Sequence, residues 1–229
     1  MNITRDSRVS DVATEAPATI RVFQEHGIDF CCGGRRPIAD ACAERGLDVD
    51  QLVATLQAAT TTAGGNRNWQ TAPLGELVAH IQERFHEPLR EELPRLMAMM
   101  AKVVSRHGDH LPDTLHPLQA TLAELQHELV EHMAKEDRVL FPAIAAAKNG
   151  ETRSGSSISQ PIAVMVAEHE HAGHALERMR ELTADYTPPE WACPTFRGLY
   201  FGLAELERDM HLHVHLENNI LFPRAVANG

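Results

Sequence analysis

Two short blocks of this chain have the residue types and spacing for metal chemistry. His132 and Glu136 stand four residues apart and are followed by Leu140-Phe141-Pro142. His213 and Glu217 repeat the spacing and are followed by Leu221-Phe222-Pro223, an offset of 81 residues. Another histidine pair, His86 and His169, is offset by 83. Residues four apart on a helix share one face, with a rise of about 6 Å between them. One side chain can then ligate a metal while the other bridges to a second metal. Burying two carboxylates costs several kcal/mol each unless positive charge offsets it, and two cations supply that charge. Nitrogen with carboxylate oxygen and no thiolate favours iron or manganese over structural zinc.

Histidine is also abundant, with 14 residues against two Trp and two Tyr. A single inward histidine is most often a hydrogen-bonded core residue. Four at matched depth, accompanied by two matched glutamates, are read as a metal site. The candidate ligands are therefore His86, His132, Glu136, His169, His213 and Glu217. Two histidines and two bridging carboxylates give each iron four protein ligands. An oxo or hydroxo bridge makes five, which leaves one open position on an octahedral ion. The expected cofactor is a pair of non-haem iron ions bridged in this way. His107 shares a stripe with His86 but lies 21 residues away, roughly 31 Å along a helix, and is left out of the set. His171, His174, His211 and His215 fall off the stripes and are read as surface groups or groups around the ligands.

The second constellation is Cys31-Cys32-Gly33-Gly34. Adjacent cysteines do not suit a secreted disulfide framework, and they fit a thiol role in a reducing compartment better. They are candidates for thiol transfer or docking, for binding a soft metal, or for a strained vicinal disulfide. Cys42 falls in a helical pattern and is expected to be buried; Cys193 is expected in a loop.

The elements that must position these groups are helical, and no strand-like alternation is present. Four long patterns cover about 72–107, 115–147, 160–184 and 194–226, broken at His107-Gly108-Asp109, at Asn149-Gly150 and at Pro188-Pro189. The fold class expected is all-α, an up-down-up-down four-helix bundle. The inward stripes are His86, Leu89, Leu93, Leu96, Met100 and Val103 in the first helix, and Leu118, Leu122, Leu125, Leu129, His132, Glu136 and Val139 in the second. Ile162, Val166, His169, Gly173 and Leu176 form the third, and Leu199, Leu203, Leu206, Met210, His213, Glu217 and Ile220 the fourth. A small helical N-terminal domain is expected over 1–60, a linker over 61–71 and the bundle over 72–229. The N-terminal part contains three short helical patterns, one around Ala18–His26, one from Pro37 to near Gly46 and one from about Asp50 to Ala59. So small a segment has little core of its own and is expected to lean on the bundle or on a second subunit.

Composition narrows the partners. A formal net charge of −11 argues against nucleic acid or an anionic membrane. The opening residues lack the apolar core of a signal peptide, and no stretch approaches a membrane span, so a cytoplasmic location is expected.

Asp29-Phe30-Cys31-Cys32-Gly33-Gly34, with a bundle ending in Leu216-Glu217-Asn218-Asn219-Ile220-Leu221-Phe222-Pro223-Arg224-Ala225, resembles the repair-of-iron-centres family of the YtfE, ScdA and DnrN type. Arg84-Phe85-His86, Glu131-His132-Met133 with Lys135-Glu136, and Glu168-His169-Glu170 match the same pattern. The resemblance covers nearly the whole chain and implies a haemerythrin-like bundle. It implies a bacterial di-iron protein, made under nitrosative or oxidative stress, that repairs damaged iron–sulfur clusters. It places the irons on the six candidate ligands, with Glu136 and Glu217 bridging, and attaches a family histidine to the position of His107. The implied partners are damaged iron–sulfur proteins or a cluster scaffold, with nitric oxide, oxygen or peroxide as small ligands. A homodimer through the N-terminal domain is consistent with it. Iron donation is the leading expectation. The alternatives are a nitric oxide-reducing di-iron enzyme and a haemerythrin-like sensor of oxygen or iron.

Overall fold

A computed structural model describes residues 2–61, 67–147 and 158–227. The expected linker over 61–71 and the break at Asn149-Gly150 lie wholly or partly outside the described residues. Among the described residues every named element is helical and no strand is present, and none of these helices is long and apolar enough to cross a membrane. They form two compact units, Met1–Leu77 with His211–Asn228, and Val78–Met210.

In the first unit, α1 (Val9–Glu15), α2 (Ile20–Glu25), α3 (Ile38–Arg45) and α4 (Val49–Thr61) surround a core of their own. Ile3, Val12, Phe23, Ile28, Phe30, Ile38 and Leu56 are fully buried there, and Leu212 packs against them. The expectation of little core is therefore corrected. The missed element is α1, whose Val9, Val12 and Ala13 complete the apolar centre. Gly46, at φ 64°, ends α3 in the left-handed conformation that glycine reaches without a Cβ clash.

The second unit is the helical bundle. Its elements are the end of α5 (Leu74–Ile81), then α6 (Glu87–His107), α7 (Pro112–Lys135), α8 (Phe141–Ala147), α9 (Ser159–Leu182) and α10 (Pro194–Leu216) as far as Met210. α7 packs against both α6 and α9. Pro112 and Pro194 open their helices where an N–H would have no partner. Leu89, Leu93, Leu96, Met100 and Val103 of α6 are buried, as are Leu118, Leu122, Leu125 and Leu129 of α7. Each such leucine contributes about 2 kcal/mol through removal from water. Gly202 lets α10 approach α6 closely, since a Cβ there would stand 2.7 Å from Leu96 Cδ2.

Two stripe assignments are corrected. In α9 the buried residues are Ile162, Met165, His169, Ala172, Leu176 and Met179, while Val166 and Gly173 are half-buried. After α7, Val139 is 62% exposed and Leu140 takes the inner position. For Val139 the physical reason is a change of helical pitch that begins at Glu136, described next. In α9, a regular α-helix, the buried face is simply centred on Met165, His169, Ala172 and Leu176.

Candidate metal centre

Three stretches of helix widen into π-turns, Gln82–His86, Glu136–Leu140 and Glu217–Leu221. Each begins or ends on a candidate ligand. In each, the next amide reaches back five residues instead of four, Glu87 to Gln82, Phe141 to Glu136 and Phe222 to Glu217. The sequence explains why. Pro88, Pro142 and Pro223 each stand two residues beyond a π-turn. A proline ring in a regular α-turn meets the carbonyl four residues back and offers it no N–H. The wide turn moves that carbonyl aside. Pro94 sits within α6 without such a turn, so proline alone is not sufficient. The three π-turns also share a pair of adjacent buried residues shortly before the proline, Phe85 and His86, Leu140 and Phe141, or Leu221 and Phe222, which Pro94 lacks.

The ligand residues are withdrawn from solvent. His86, Glu136, His213 and Glu217 are 0% exposed, His169 is 1% and His132 3%. Their donor atoms gather in two groups. His86, Glu136, His213 and Glu217 form one, and His132, Glu136, His169 and Glu217 the other, with all ligand atoms of a group within 4.8 Å of one another. Both glutamates belong to both groups. His86 Nε2 lies 3.4 Å and His132 Nε2 3.2 Å from Glu136 Oε2, and His213 Nε2 lies 3.1 Å from Glu217 Oε1. His132 Nε2 and His169 Nε2 are 3.0 Å apart. Two nitrogens bound to one metal at about 2.1 Å and at right angles stand about 3.0 Å apart, so this spacing fits two ligands of a single ion. The burial of Glu136 and Glu217 fits as well, since cationic charge between them offsets a desolvation cost of several kcal/mol per carboxylate.

One histidine in each group is oriented from outside. His86 Nδ1–H donates to Asp137 Oδ1 at 3.0 Å, and His132 Nδ1–H donates to Glu168 Oε2 at 2.9 Å. Donation at Nδ1 leaves the Nε2 lone pair facing inward, the tautomer that a metal requires. Each carboxylate also has a cationic partner. Asp137 meets Arg90 and accepts from Gln82 Nε2 at 2.8 Å, and Glu168 meets Lys135. Burial pushes the Asp137 carboxyl up, but Gln82, Arg90 and His86 outweigh it and hold it below its ordinary value. Burial likewise opposes ionisation of Glu168, and Lys135 and His132 outweigh it. Phe141 stacks on the His86 ring, with centroids 5.6 Å apart.

The remaining histidines separate by place. His107 closes α6 against Trp191 and Phe196, with ring centroids at 5.4 and 5.6 Å, and is in neither ligand group. His171 and His174 are exposed. His215 departs from the surface reading and is fully buried, 5.4 Å from the Phe30 ring. Burial lowers its pKa to about 4. Asn219 Nδ2 donates to His215 Nδ1 at 3.0 Å and to the Phe30 carbonyl at 3.3 Å.

The cysteine loop is built on Asp29. Its carboxylate accepts from the backbone N–H groups of Cys31, Cys32 and Gly33, at 2.8, 3.1 and 2.6 Å. The Cys31 thiol donates to Asp29 Oδ1 at 3.1 Å. Both cysteines are free thiols, Cys31 buried and Cys32 half-buried, with sulfurs 3.7 Å apart. Burial, together with Cys32 and Asp29, raises the Cys31 thiol well above its ordinary value. Cys42 is buried in α3, and Cys193 is half-buried in the loop before α10.

Compared with known proteins, residues 77–225 match the hemerythrin HHE cation binding domain, and residues 5–60 match ScdA_N, a domain of unknown function. The iron-sulfur cluster repair proteins YtfE of Pectobacterium carotovorum and Pectobacterium atrosepticum are 40% identical over 222 residues, 97% of each chain. That of Yersinia pseudotuberculosis is 41% identical over the same span and coverage. The chain belongs to the YtfE family of iron-sulfur cluster repair proteins. The two His/Glu groups lie within its HHE cation-binding domain and form a haemerythrin-type di-metal site.

The stripes point to the inner residues but give no role to Asp137, Gln82 and Arg90, nor to Glu168 and Lys135, which entered only as residues of the matching motifs. Asp137 directly follows Glu136 and so carries no periodic signal. The π-turns had a signal that went unread, a bulky pair closely followed by proline at all three places.

Proposed function

We propose that this chain repairs iron–sulfur clusters damaged by nitrosative or oxidative stress, and that iron held in its His/Glu centre is the donated cargo. The observation that carries the reading is the sharing of Glu136 and Glu217 by both ligand groups, an arrangement suited to two cations side by side. The names of relatives 40% identical along nearly the whole chain support the repair role. In this reading His86 and His213 hold one non-haem iron, His132 and His169 the other, and Glu136 and Glu217 bridge them. When bound, the pair supplies exchangeable iron and an open coordination position for nitric oxide, oxygen or peroxide.

The protein's own residues govern how firmly that iron is held. Asp137 and Glu168 keep His86 and His132 in the binding tautomer, and the buried walls limit water. Cys31 and Cys32 assist transfer or docking. The partners are damaged iron–sulfur proteins or a cluster scaffold, met in the cytoplasm. A division into an N-terminal domain at 1–60, a linker at 61–71 and a bundle at 72–229 belongs to this proposal, as does a homodimer through the N-terminal domain.

The test is reactivation of an iron–sulfur enzyme whose cluster has been damaged by nitric oxide, using purified wild-type protein and a Glu136→Ala, Glu217→Ala double variant. The wild type is expected to carry two irons per chain and to restore activity while losing iron. The double variant is expected to do neither. Iron-loaded wild-type protein that restores nothing would sink the proposal.

A further inference from the structure

We infer that the Asp29–Cys31–Cys32 loop is a second metal site, one that takes a single thiophilic transition-metal cation. Its role as a station for cargo iron rests on the repair reading above; the site itself rests on geometry. Cys31 Sγ and Cys32 Sγ are 3.7 Å apart. Two thiolates on one tetrahedral cation, with metal–sulfur bonds of about 2.3 Å, stand about 3.8 Å apart. The sulfurs are therefore at chelating distance, and much too far apart for a bonded disulfide at about 2.05 Å. Asp29 supplies an oxygen donor 3.1 Å from Cys31 Sγ, and all three ligand atoms lie within 4.8 Å of one another.

The loop is preformed for this task. Asp29 gathers three successive amides and so fixes the directions of both Cα–Cβ bonds. Gly34 lies so close to the chain that a Cβ there would stand 2.6 Å from the Phe30 carbonyl oxygen. The Phe30 carbonyl is in turn tied to Asn219. An imidazole is also at hand. His211 stands against the Phe30 ring, 6.0 Å between centroids, and near enough to Asp29 to favour its charged form. Cys32 is half-buried, which gives an ion a way in, and Cys31 lies behind it. Coordination exchanges the thiol protons for the cation and releases them to solvent, with no change in oxidation state.

The His/Glu centre is rich in nitrogen and carboxylate donors, whereas this site is rich in sulfur. The two differ in the ions they prefer. A sulfur-rich station is matched to an acceptor that offers thiolates or sulfide.

The test is anaerobic titration of the iron-loaded full-length protein with Co(II), watching for the near-ultraviolet thiolate-to-cobalt charge-transfer band. One cobalt per chain is expected to bind with that band while the resident iron content stays constant. Cys32→Ser is expected to lose the band and to weaken cobalt binding at least tenfold, with an unchanged far-ultraviolet circular dichroism spectrum. Cys193→Ser is expected to keep the band. A wild-type protein without the band, or a Cys32→Ser protein that retains it, overturns the site. Cluster reactivation is measured on the same samples. Absent reactivation with the band present overturns the repair reading alone, and absent band with reactivation intact overturns the site alone.

Discussion

Replacing Asp137 by Asn and Glu168 by Gln, one at a time, separates the two metal positions. His86 belongs to one ligand group and His132 to the other, and each is oriented by its own carboxylate. Neutralising the carboxylate turns a charge-assisted bond at 3.0 or 2.9 Å into a neutral one of roughly half the strength, a loss of about 1–2 kcal/mol. It also allows the imidazole to flip tautomer. At 1.4 kcal/mol per tenfold, each variant is expected to weaken one metal position by about 5- to 30-fold, overlapping the range of about 10- to 100-fold for such outer partners. Asp137 also holds Gln82 and Arg90, so Asp137→Asn is expected to be the more severe. The assay is stopped-flow extraction of iron by a strong chelator. Each single variant is expected to give a biphasic trace, with one equivalent lost faster and the other near the wild-type rate. The double variant is expected to lose both quickly. If each single variant accelerates both equivalents alike, or neither, the division of the site into two carboxylate-backed halves is refuted.

Other predictions concern the scaffold. Leu140→Ala is expected to cost about 2–5 kcal/mol in chemical denaturation, whereas Val139→Lys is expected to stay within about 0.5 kcal/mol, because the π-turn turns Leu140 inward and Val139 out. An uninterrupted α-helix would turn both positions partly inward and bring the two costs together. Gly202→Ala places a methyl 2.7 Å from Leu96 and is expected to lower stability by about 1–3 kcal/mol, read as a fall in Tm. Asp29→Asn removes the charge that gathers three amides and is expected to open the cysteine loop by about 1–3 kcal/mol. Faster hydrogen exchange at residues 31–33, with bundle amides unchanged, is the readout.

Much of the centre was legible because its ligands obey helical spacing. His132, Glu136, His213 and Glu217 fall on stripes of leucine, and a period of 3.6 residues turns such stripes into one buried face. Legibility ended where the period changed. Carrying α-spacing through Glu136 put Val139 inside, and the wide turn put Leu140 there instead. The outer carboxylates were invisible for a related reason, because Asp137 and Glu168 reach across to a histidine on another helix and so follow no local pattern. The burial of His215 was not legible because it comes from Phe30, a residue 185 positions earlier, and not from the stripe of its own helix. In the first unit α1 escaped because it is short and its Val9, Val12 and Thr14 are β-branched, a weak helix signal.

The tie between Phe30 and Asn219 has a practical consequence for anyone dissecting this protein. The stretch from His211 onward carries His213 and Glu217, and it is part of the same compact unit as the cysteine loop. Leu212 packs into that unit's core, Asn219 holds the Phe30 carbonyl, and Arg224 caps the Trp69 and Ala72 carbonyls. Cutting away the first sixty residues would strip the apolar cover of Leu212 and the carbonyl partner of Asn219 from the very segment that supplies one of the two shared carboxylates. A truncated bundle that failed to keep iron would thus say nothing about the cysteines. Single-atom exchanges, oxygen in place of sulfur at Cys32, are the instrument that leaves the segment's footing intact.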